Sequence, residues 1–137
     1  MTETSERVKP ASERSEPHLF GHGHLSYIQI PTLDVRASAA FYEKVFGWKL
    51  RGGSAGHFSF TDASGQMIGA WVTGRPIARE PGILPYIYVH GIDRVLEEIT
   101  ASGCEVVKPP YPEGDLWVAT CRDPAGNVIG IWQQGPR

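Results

Sequence analysis

Tyrosines, histidines and a glutamine are the side chains of this 137-residue sequence best suited to proton transfer. Phenol and imidazole groups donate or accept protons, and an amide can orient a bound molecule. No glycine-rich phosphate loop followed by lysine occurs, so a P-loop site is not indicated. If the protein is an enzyme, we expect its proton-transfer groups among Tyr27, Gln29, His57, Tyr86 and Tyr88, and the pattern assigns no single catalytic residue.

Three histidines near the amino end raise the question of a metal site. His18, His22 and His24 all lie within HLFGHGH. Imidazole is a common zinc ligand, but Gly-His-Gly-His is equally typical of a mobile loop that leads into a fold. We favour the loop.

Charge and composition limit the kinds of partner. The formal net charge is −2, from 13 basic and 15 acidic residues, which favours neither nucleic acid nor an anionic membrane. No stretch approaches the roughly 18 continuous apolar residues of a membrane helix. Cys104 and Cys121 are too few for a disulfide framework, and we expect buried free thiols. These features predict a cytoplasmic protein with a small-molecule or protein partner.

The hydrophobic periods predict the elements that carry these side chains. LSYIQIPTL (25–33) alternates like a strand, and Asp34 then begins a helix that Gly47 ends. Three short strands are expected at 48–53, 57–62 and 66–74.

The same order then occurs a second time. ILPYIYVHG (83–91) predicts a strand, 92–102 a helix that stops at Gly103, and 105–110, 116–123 and 127–134 three more strands, with PPYPEG as a loop. The prediction is an α+β fold of two tandem βαβββ modules, about 24–74 and 82–135, forming a curved mixed sheet around a cleft with helices on the outer face. Residues 18–137 are expected to make one domain, preceded by a flexible tail at 1–17, which is poor in large apolar side chains.

A repeated motif supports the duplication. DASGQMIGAWVTG begins at Asp62 and DPAGNVIGIWQQG begins at Asp123, so D-x-x-G-x-x-I-G-x-W-x-x-G occurs twice. This alignment pairs Gly69 with Gly130 and Trp71 with Trp132.

The stretches HLSYIQIPTLDVRASAAFYEKVFGWKL and DPAGNVIGIWQ resemble the vicinal oxygen chelate superfamily. Its members include glyoxalase I, extradiol dioxygenases, methylmalonyl-CoA epimerase, and fosfomycin- and bleomycin-resistance proteins. The resemblance covers His24 to Gln134 and implies the fold predicted above. It does not choose a function, because this fold hosts several reactions as well as plain binding.

The resemblance also implies where a metal would be held. Metal-using members take one ligand from each of four strands, at positions that here are Tyr27, Gly69, Leu84 and Gly130. A phenol is a poor ligand at neutral pH, and the other three side chains have no donor atom. We therefore expect no catalytic metal and interpret both glycines as space left by lost carboxylates. Gln29, His57 and His90 are the alternative, displaced ligands.

Alternation along the strands predicts a mostly aromatic cleft. The residues expected to line it are Tyr27, Gln29, His57, Met67, Gly69, Trp71, Leu84, Tyr86, Tyr88, Val128, Gly130 and Trp132. Such a surface suits a planar, partly apolar organic ligand. The alternative is that the aromatic rings, Trp71 and Trp132 above all, pack as core.

Two functions from different classes follow. The first is a metal-independent small-molecule-binding protein of the bleomycin-resistance type. The second is a lyase or isomerase of glyoxalase type that uses a displaced metal or acid/base residues. The resemblance implies a homodimer, since members with two modules generally complete their clefts by pairing chains.

Overall fold

The computed structural model describes residues 17–137, which form two βαβββ modules. The first contains β1 (Tyr27–Pro31), α1 (Val35–Phe46), β2 (Lys49–Gly52), β3 (Phe58–Thr61) and β4 (Ile68–Val72). The second contains β5 (Tyr86–Tyr88), α2 (Ile92–Ala101), β6 (Val106–Glu113), β7 (Leu116–Arg122) and β8 (Val128–Gln134). Short 3-10 turns cover Pro17–Phe20 and Ser54–Gly56. No helix in this described part of the chain is long and apolar enough to span a membrane.

Each module builds its own four-stranded mixed sheet. The strand orders are β1-β4-β3-β2 and β5-β8-β7-β6, with β1/β4 and β5/β8 parallel and the other neighbours antiparallel. The α+β fold of two βαβββ modules is thus confirmed. The expected single curved sheet is divided into two sheets, because no strand of one module is hydrogen bonded to a strand of the other within residues 17–137.

The two helices form where capping residues and apolar spacing predict them. The Asp34 side chain accepts a hydrogen bond from the N–H of Ala37 at 3.1 Å, and Gly47 ends α1 at a φ of 73°, which an L-residue rarely adopts. In α2, Ile92, Val95, Leu96 and Ile99 are buried on one face. The apolar face of each helix therefore lies on its sheet.

One hydrophobic core joins the modules. It includes Tyr42 and Phe60 from the first module, and Ile99 and Ile131 from the second. Two hydrogen bonds also cross between modules: the Tyr42 hydroxyl donates to Asp123 at 2.8 Å, and the side-chain amide of Asn127 donates to the Pro31 carbonyl at 2.7 Å. The DPAGN turn therefore ties the second module to the first.

Two features differ from the expectations. The predicted loop PPYPEG is wrong, because most of it belongs to β6, where Tyr111, Pro112 and Glu113 pair with β7. An edge strand tolerates proline since its outward N–H groups need no partner, and two register shifts absorb the irregularity. The predicted tail at 1–17 lies outside the described residues except for Pro17, which begins the first 3-10 turn.

Candidate functional site

Each sheet has one face packed on its helix and one face turned away from it, here called the open face. On the second sheet the pairing of strands places two rows of side chains on the open face. One row is Tyr86, Gly130, Thr120 and Lys108, and the other is Tyr88, Trp132, Val118 and Tyr111. The four aromatic residues, Tyr86, Tyr88, Tyr111 and Trp132, are called the aromatic wall below.

The aromatic wall is accessible and its rings contact one another. Tyr86 and Tyr88 are 46% and 41% exposed, which is high for large aromatic side chains. The rings of Tyr88 and Trp132 meet edge to face with centroids 4.7 Å apart. The ammonium of Lys108 lies 4.1 Å from the centre of the Tyr111 ring. This surface offers flat apolar area with several hydroxyl groups and one cation.

Tyr86 fills the space that Gly130 leaves. A Cβ atom at Gly130 would collide with the Tyr86 ring, which therefore lies directly on the glycine backbone. The prediction that Gly130 opens room for a ligand is thus wrong, because a side chain of the same protein occupies that room. The glycine is required for the position of one wall residue.

The open face of the first sheet has a different character. Strands β1 and β4 place Gln29 beside Ala70 and Tyr27 beside Ile68, and β2 at the opposite edge adds Arg51 and Lys49 at the ends of these rows. The side-chain oxygen of Gln29 accepts a hydrogen bond from Arg75 Nε at 2.9 Å. This face is more polar and more basic than the aromatic wall.

Gly69 and Trp71 do not lie on the open face, which corrects the sequence prediction for both. A Cβ atom at Gly69 would collide with the Ile28 carbonyl and with the Phe60 ring, which is fully buried in the core. Trp71 is 4% exposed, and its ring centre lies 4.8 Å from that of Phe60. Trp71 is therefore core, as the alternative interpretation held, whereas Trp132 belongs to the aromatic wall.

A difference in turn length explains this error. The N–H of Asp62 donates to the carbonyl of Met67, five positions on, whereas the N–H of Asp123 donates to that of Asn127, four positions on. The first turn thus contains one extra residue. Because successive strand residues point to opposite faces, this residue turns β4 over relative to β8. The position in space that corresponds to Gly130 is therefore Ala70, not Gly69.

The remaining predicted site residues are scattered. His57 is exposed in the β2–β3 connection, where its carbonyl accepts a hydrogen bond from Gly53. Leu84 is half-buried ahead of β5. Met67 and Val128 line a cavity between the modules rather than the aromatic wall. His90 packs its ring edge against Tyr88 at 5.6 Å between centres.

The donor atoms present do not fit a divalent metal. Within residues 17–137, no three His, Cys, Asp or Glu side chains are grouped so that they could hold an ion. Gln29, the best displaced ligand, already uses its side-chain oxygen to accept from Arg75.

Several residues of the open faces were missed in the sequence. Tyr111 lies on β6 within PPYPEG, which the sequence predicts to be a loop, and Lys108 lies on the same strand within the predicted stretch 105–110. Arg75 lies in the connection between modules, where no helix or strand periodicity predicts the direction of a side chain. The alternation in LWVATCRD was the available signal for Val118 and Thr120, since it places both on one face of β7.

A model of the Glyoxalase/Bleomycin resistance protein/Dioxygenase superfamily matches residues 24–131. A glyoxalase/bleomycin resistance protein/dioxygenase family enzyme from Burkholderia phytofirmans PsJN is 23% identical, with a TM-score of 0.66, over 81% of this chain and 98% of that one. No match is found among curated protein sequences.

Two further solved structures share the fold. The antibiotic binding protein TnmS3 from Streptomyces sp. CB03234 is 23% identical, with a TM-score of 0.62, over 82% of this chain and 96% of its own. The genomically encoded fosfomycin resistance protein FosX from Listeria monocytogenes is 18% identical, with a TM-score of 0.67, over 80% of this chain and 91% of its own. Identities this low support the fold alone.

Proposed function

We propose that this chain, which belongs to the glyoxalase/bleomycin resistance/dioxygenase superfamily, binds a planar aromatic small molecule on its aromatic wall without using a metal. The observation that carries the proposal is the exposure of Tyr86 and Tyr88 beside Trp132 on one sheet face. Large rings that remain accessible in an ordered sheet are typical of ligand contact. The antibiotic-binding neighbour TnmS3 gives a precedent for binding in this fold.

The chemistry of the wall indicates the kind of ligand. Each ring contact with a flat apolar molecule contributes about 0.5–1.5 kcal/mol. The Lys108 ammonium and the tyrosine hydroxyls can bind polar substituents at the edge of such a molecule. We therefore expect an aromatic ring system that carries at least one oxygen-containing group.

A panel of planar aromatic compounds, screened by the rise in the Tm of tag-free protein, tests this function. Replacing Tyr88 or Trp132 by alanine should raise the Kd of any hit by about tenfold or more, equivalent to about 1.4 kcal/mol. Phe20→Ala is the matched control, because Phe20 is also an exposed aromatic residue, 68% exposed, outside the wall. Equal losses in all three variants would contradict the site.

Metal independence is tested on the same complexes. Because the open faces lack a suitable donor set, EDTA should change neither the Kd of a hit nor the Tm of the free protein. Binding that EDTA abolishes, and that zinc, nickel, manganese or iron restores, would establish the displaced metal site instead.

A second candidate, a lyase or isomerase that works by acid/base chemistry, is favoured by one observation. The pKa of Tyr86 is raised, first by burial of its phenol and then by Tyr111 and Glu113, while Lys108 acts in the opposite direction. A phenol with a raised pKa holds its proton more tightly than a free tyrosine, so Tyr86 can donate a hydrogen bond to a substrate oxygen that gains negative charge. Turnover of the hemithioacetal of methylglyoxal and glutathione, lost in Tyr86→Phe, would support this function over simple binding.

We also infer a homodimer in the cytoplasm. Tyr27, Tyr86 and Tyr88 leave aromatic surface exposed on both open faces of a single chain, and a second chain could cover part of it. Cys104 and Cys121 are free thiols, which supports a reducing compartment.

A further inference from the structure

A cavity of about 340 Å³ lies between the two modules, apart from the aromatic wall. Ile28 and Ile30 of β1 and Trp48 line it from the first module, and Ile87 and Ile129 line it from the second. None of the four wall residues contributes to it. Ile83, an apolar side chain that is 89% exposed, also lines it. The volume falls within the usual range for small-molecule sites, about 300–1,000 Å³.

Asp62 is the one charged side chain among the described residues that line the cavity, and three donors of its own turn bind its carboxylate. Its Oδ1 accepts hydrogen bonds from the backbone N–H groups of Gln66 at 2.9 Å and Met67 at 3.2 Å. Its Oδ2 accepts from the Ser64 hydroxyl at 3.0 Å. These bonds hold the carboxylate within its own turn and offset part of its charge.

The neutral polar side chains of the lining are paired as well. Asn127 Oδ1 accepts from the N–H of Ala78 at 2.8 Å, and Asn127 Nδ2 donates to the Pro31 carbonyl and to Asp123. The Tyr42 hydroxyl also donates to Asp123. The oxygen of Gln29 accepts from Arg75. The Asn127 amide, the Tyr42 hydroxyl and the Gln29 oxygen thus already have partners within the protein.

The polarity of its lining determines which kind of molecule this cavity can bind. Water needs about two to four polar partners to be stable inside a protein, and a charged ligand needs a counter-charge. Asp62 is the one counter-charge among the described lining residues, and three donors already bind it, whereas isoleucines from both modules supply apolar contact. An apolar molecule would gain about 25 cal/mol for each Å² of surface it removes from water.

We propose that this inter-module cavity is a second binding site, which takes an uncharged apolar molecule of one or two rings. The ligand differs from that of the aromatic wall, where hydroxyls and an ammonium favour polar substituents. Because both modules line the cavity, its occupant would also stabilise the contact between them.

Naphthalene is a suitable probe, and isotope-labelled isoleucine and valine methyl groups report its position by NMR. Titration of the full chain should shift the methyl signals of Ile28, Ile87 and Ile129, which line the cavity. Val118, beneath the aromatic wall, should not shift. Shifts at Val118 without shifts at the three isoleucines would overturn the cavity site while leaving the wall as a ligand site. Absence of any shift on adding naphthalene would overturn the cavity site as well. The site would also be overturned if the isoleucine signals responded only to protein concentration, since a second chain would then cover the cavity.

A cavity-filling variant tests the site independently. Ala78→Leu places extra carbon atoms on the lining and should raise the Kd for naphthalene by about tenfold or more. Ala40→Leu is the matched control, because Ala40 is exposed on α1 and does not line the cavity. The proposal fails if both variants bind naphthalene as the unmodified chain does. The Tm of each variant shows that it is folded, and the methyl shifts of the unmodified chain decide the question if Ala78→Leu is not.

Discussion

Only glycine fits at position 130 of the open face, because the ring of Tyr86 lies where a Cβ atom would be. The first module shows the same arrangement on the opposite face, where the Phe60 ring lies on Gly69. In both sheets a glycine allows an aromatic ring to lie flat on the backbone. At the scale of single residues, these glycines are packing positions rather than traces of lost carboxylates.

Gly130→Ala should therefore lower the free energy of unfolding by about 1–3 kcal/mol, the usual cost of overpacking. The added methyl group collides with Tyr86 and should also weaken binding at the aromatic wall. Urea denaturation measures the first effect and ligand titration the second. Gly82→Ala is the control, because nothing lies within 4 Å of a Cβ atom there. Equal stability of the two variants would contradict the packing role.

The buried acids of the core predict a loss of stability at alkaline pH. Burial, with smaller contributions from Cys104 and Asp123, raises the pKa of Cys121 to about 12. Burial, followed by the charge of Asp123, raises the pKa of Tyr42 well above its usual value. For both groups the folded state holds the proton more tightly than the unfolded state. Their contribution is complete below the unfolded pKa and is lost as the pH rises toward the folded pKa.

The free energy of unfolding should thus fall from about pH 9 upward, by at most about 1.4 kcal/mol per pH unit for each group. The urea midpoint should fall with it. Cys121→Val removes one titrating group and should make the decline shallower. A midpoint that stays constant up to about pH 11 would show that these groups are not protected in the folded state.

At the scale of elements, one turn decides which side chains reach each face. The turn after Asp62 contains one residue more than the DPAGN turn, and β4 is consequently turned over relative to β8. The second turn also contacts the first module, because Asp123 and Asn127 form hydrogen bonds with α1 and β1. The DPAGN motif thus acts in this chain as a connection between modules.

Tyr42→Phe tests that connection. The change removes a hydrogen bond of 2.8 Å to a buried carboxylate and should cost about 1.5–3 kcal/mol of stability. Tyr27→Phe removes the same atom from a tyrosine that is 51% exposed, and should be nearly neutral. Urea denaturation of both variants gives the comparison. A loss below that of Tyr27→Phe would mean that the bond does not hold the modules together.

At the scale of the whole molecule, the two open faces differ in character. The second sheet presents the aromatic wall, and the first presents Gln29, Arg51 and Lys49. A ligand that contacted both kinds of surface would combine flat rings with polar or anionic substituents.

We expect sedimentation at micromolar concentration to give a particle of twice the 15.0 kDa chain mass. The physical reason is the aromatic surface that a single chain leaves exposed at Tyr27, Tyr86 and Tyr88. A single species at 15.0 kDa would refute the homodimer, and with it any ligand site shared between chains.

The sequence by itself determined the elements and their order. Asp34 and Gly47 bound α1 where they were expected, because capping depends on side chains within a few positions of the helix end. The repeated strand and helix periods predicted both βαβββ modules for the same local reason. The aromatic character of β5 was also visible, since Tyr86 and Tyr88 alternate within a single strand.

Only the tertiary structure decided which face each strand presents and what fills the space above each glycine. Alternation shows that Gly69 and Trp71 share a face, but not which one, and a single residue in the Asp62 turn reverses the answer. The Tyr86 ring on Gly130 and the cavity between modules depend on contacts between distant parts of the chain. Strand periods carry no information on such contacts, because pairing register and packing are set by the whole fold.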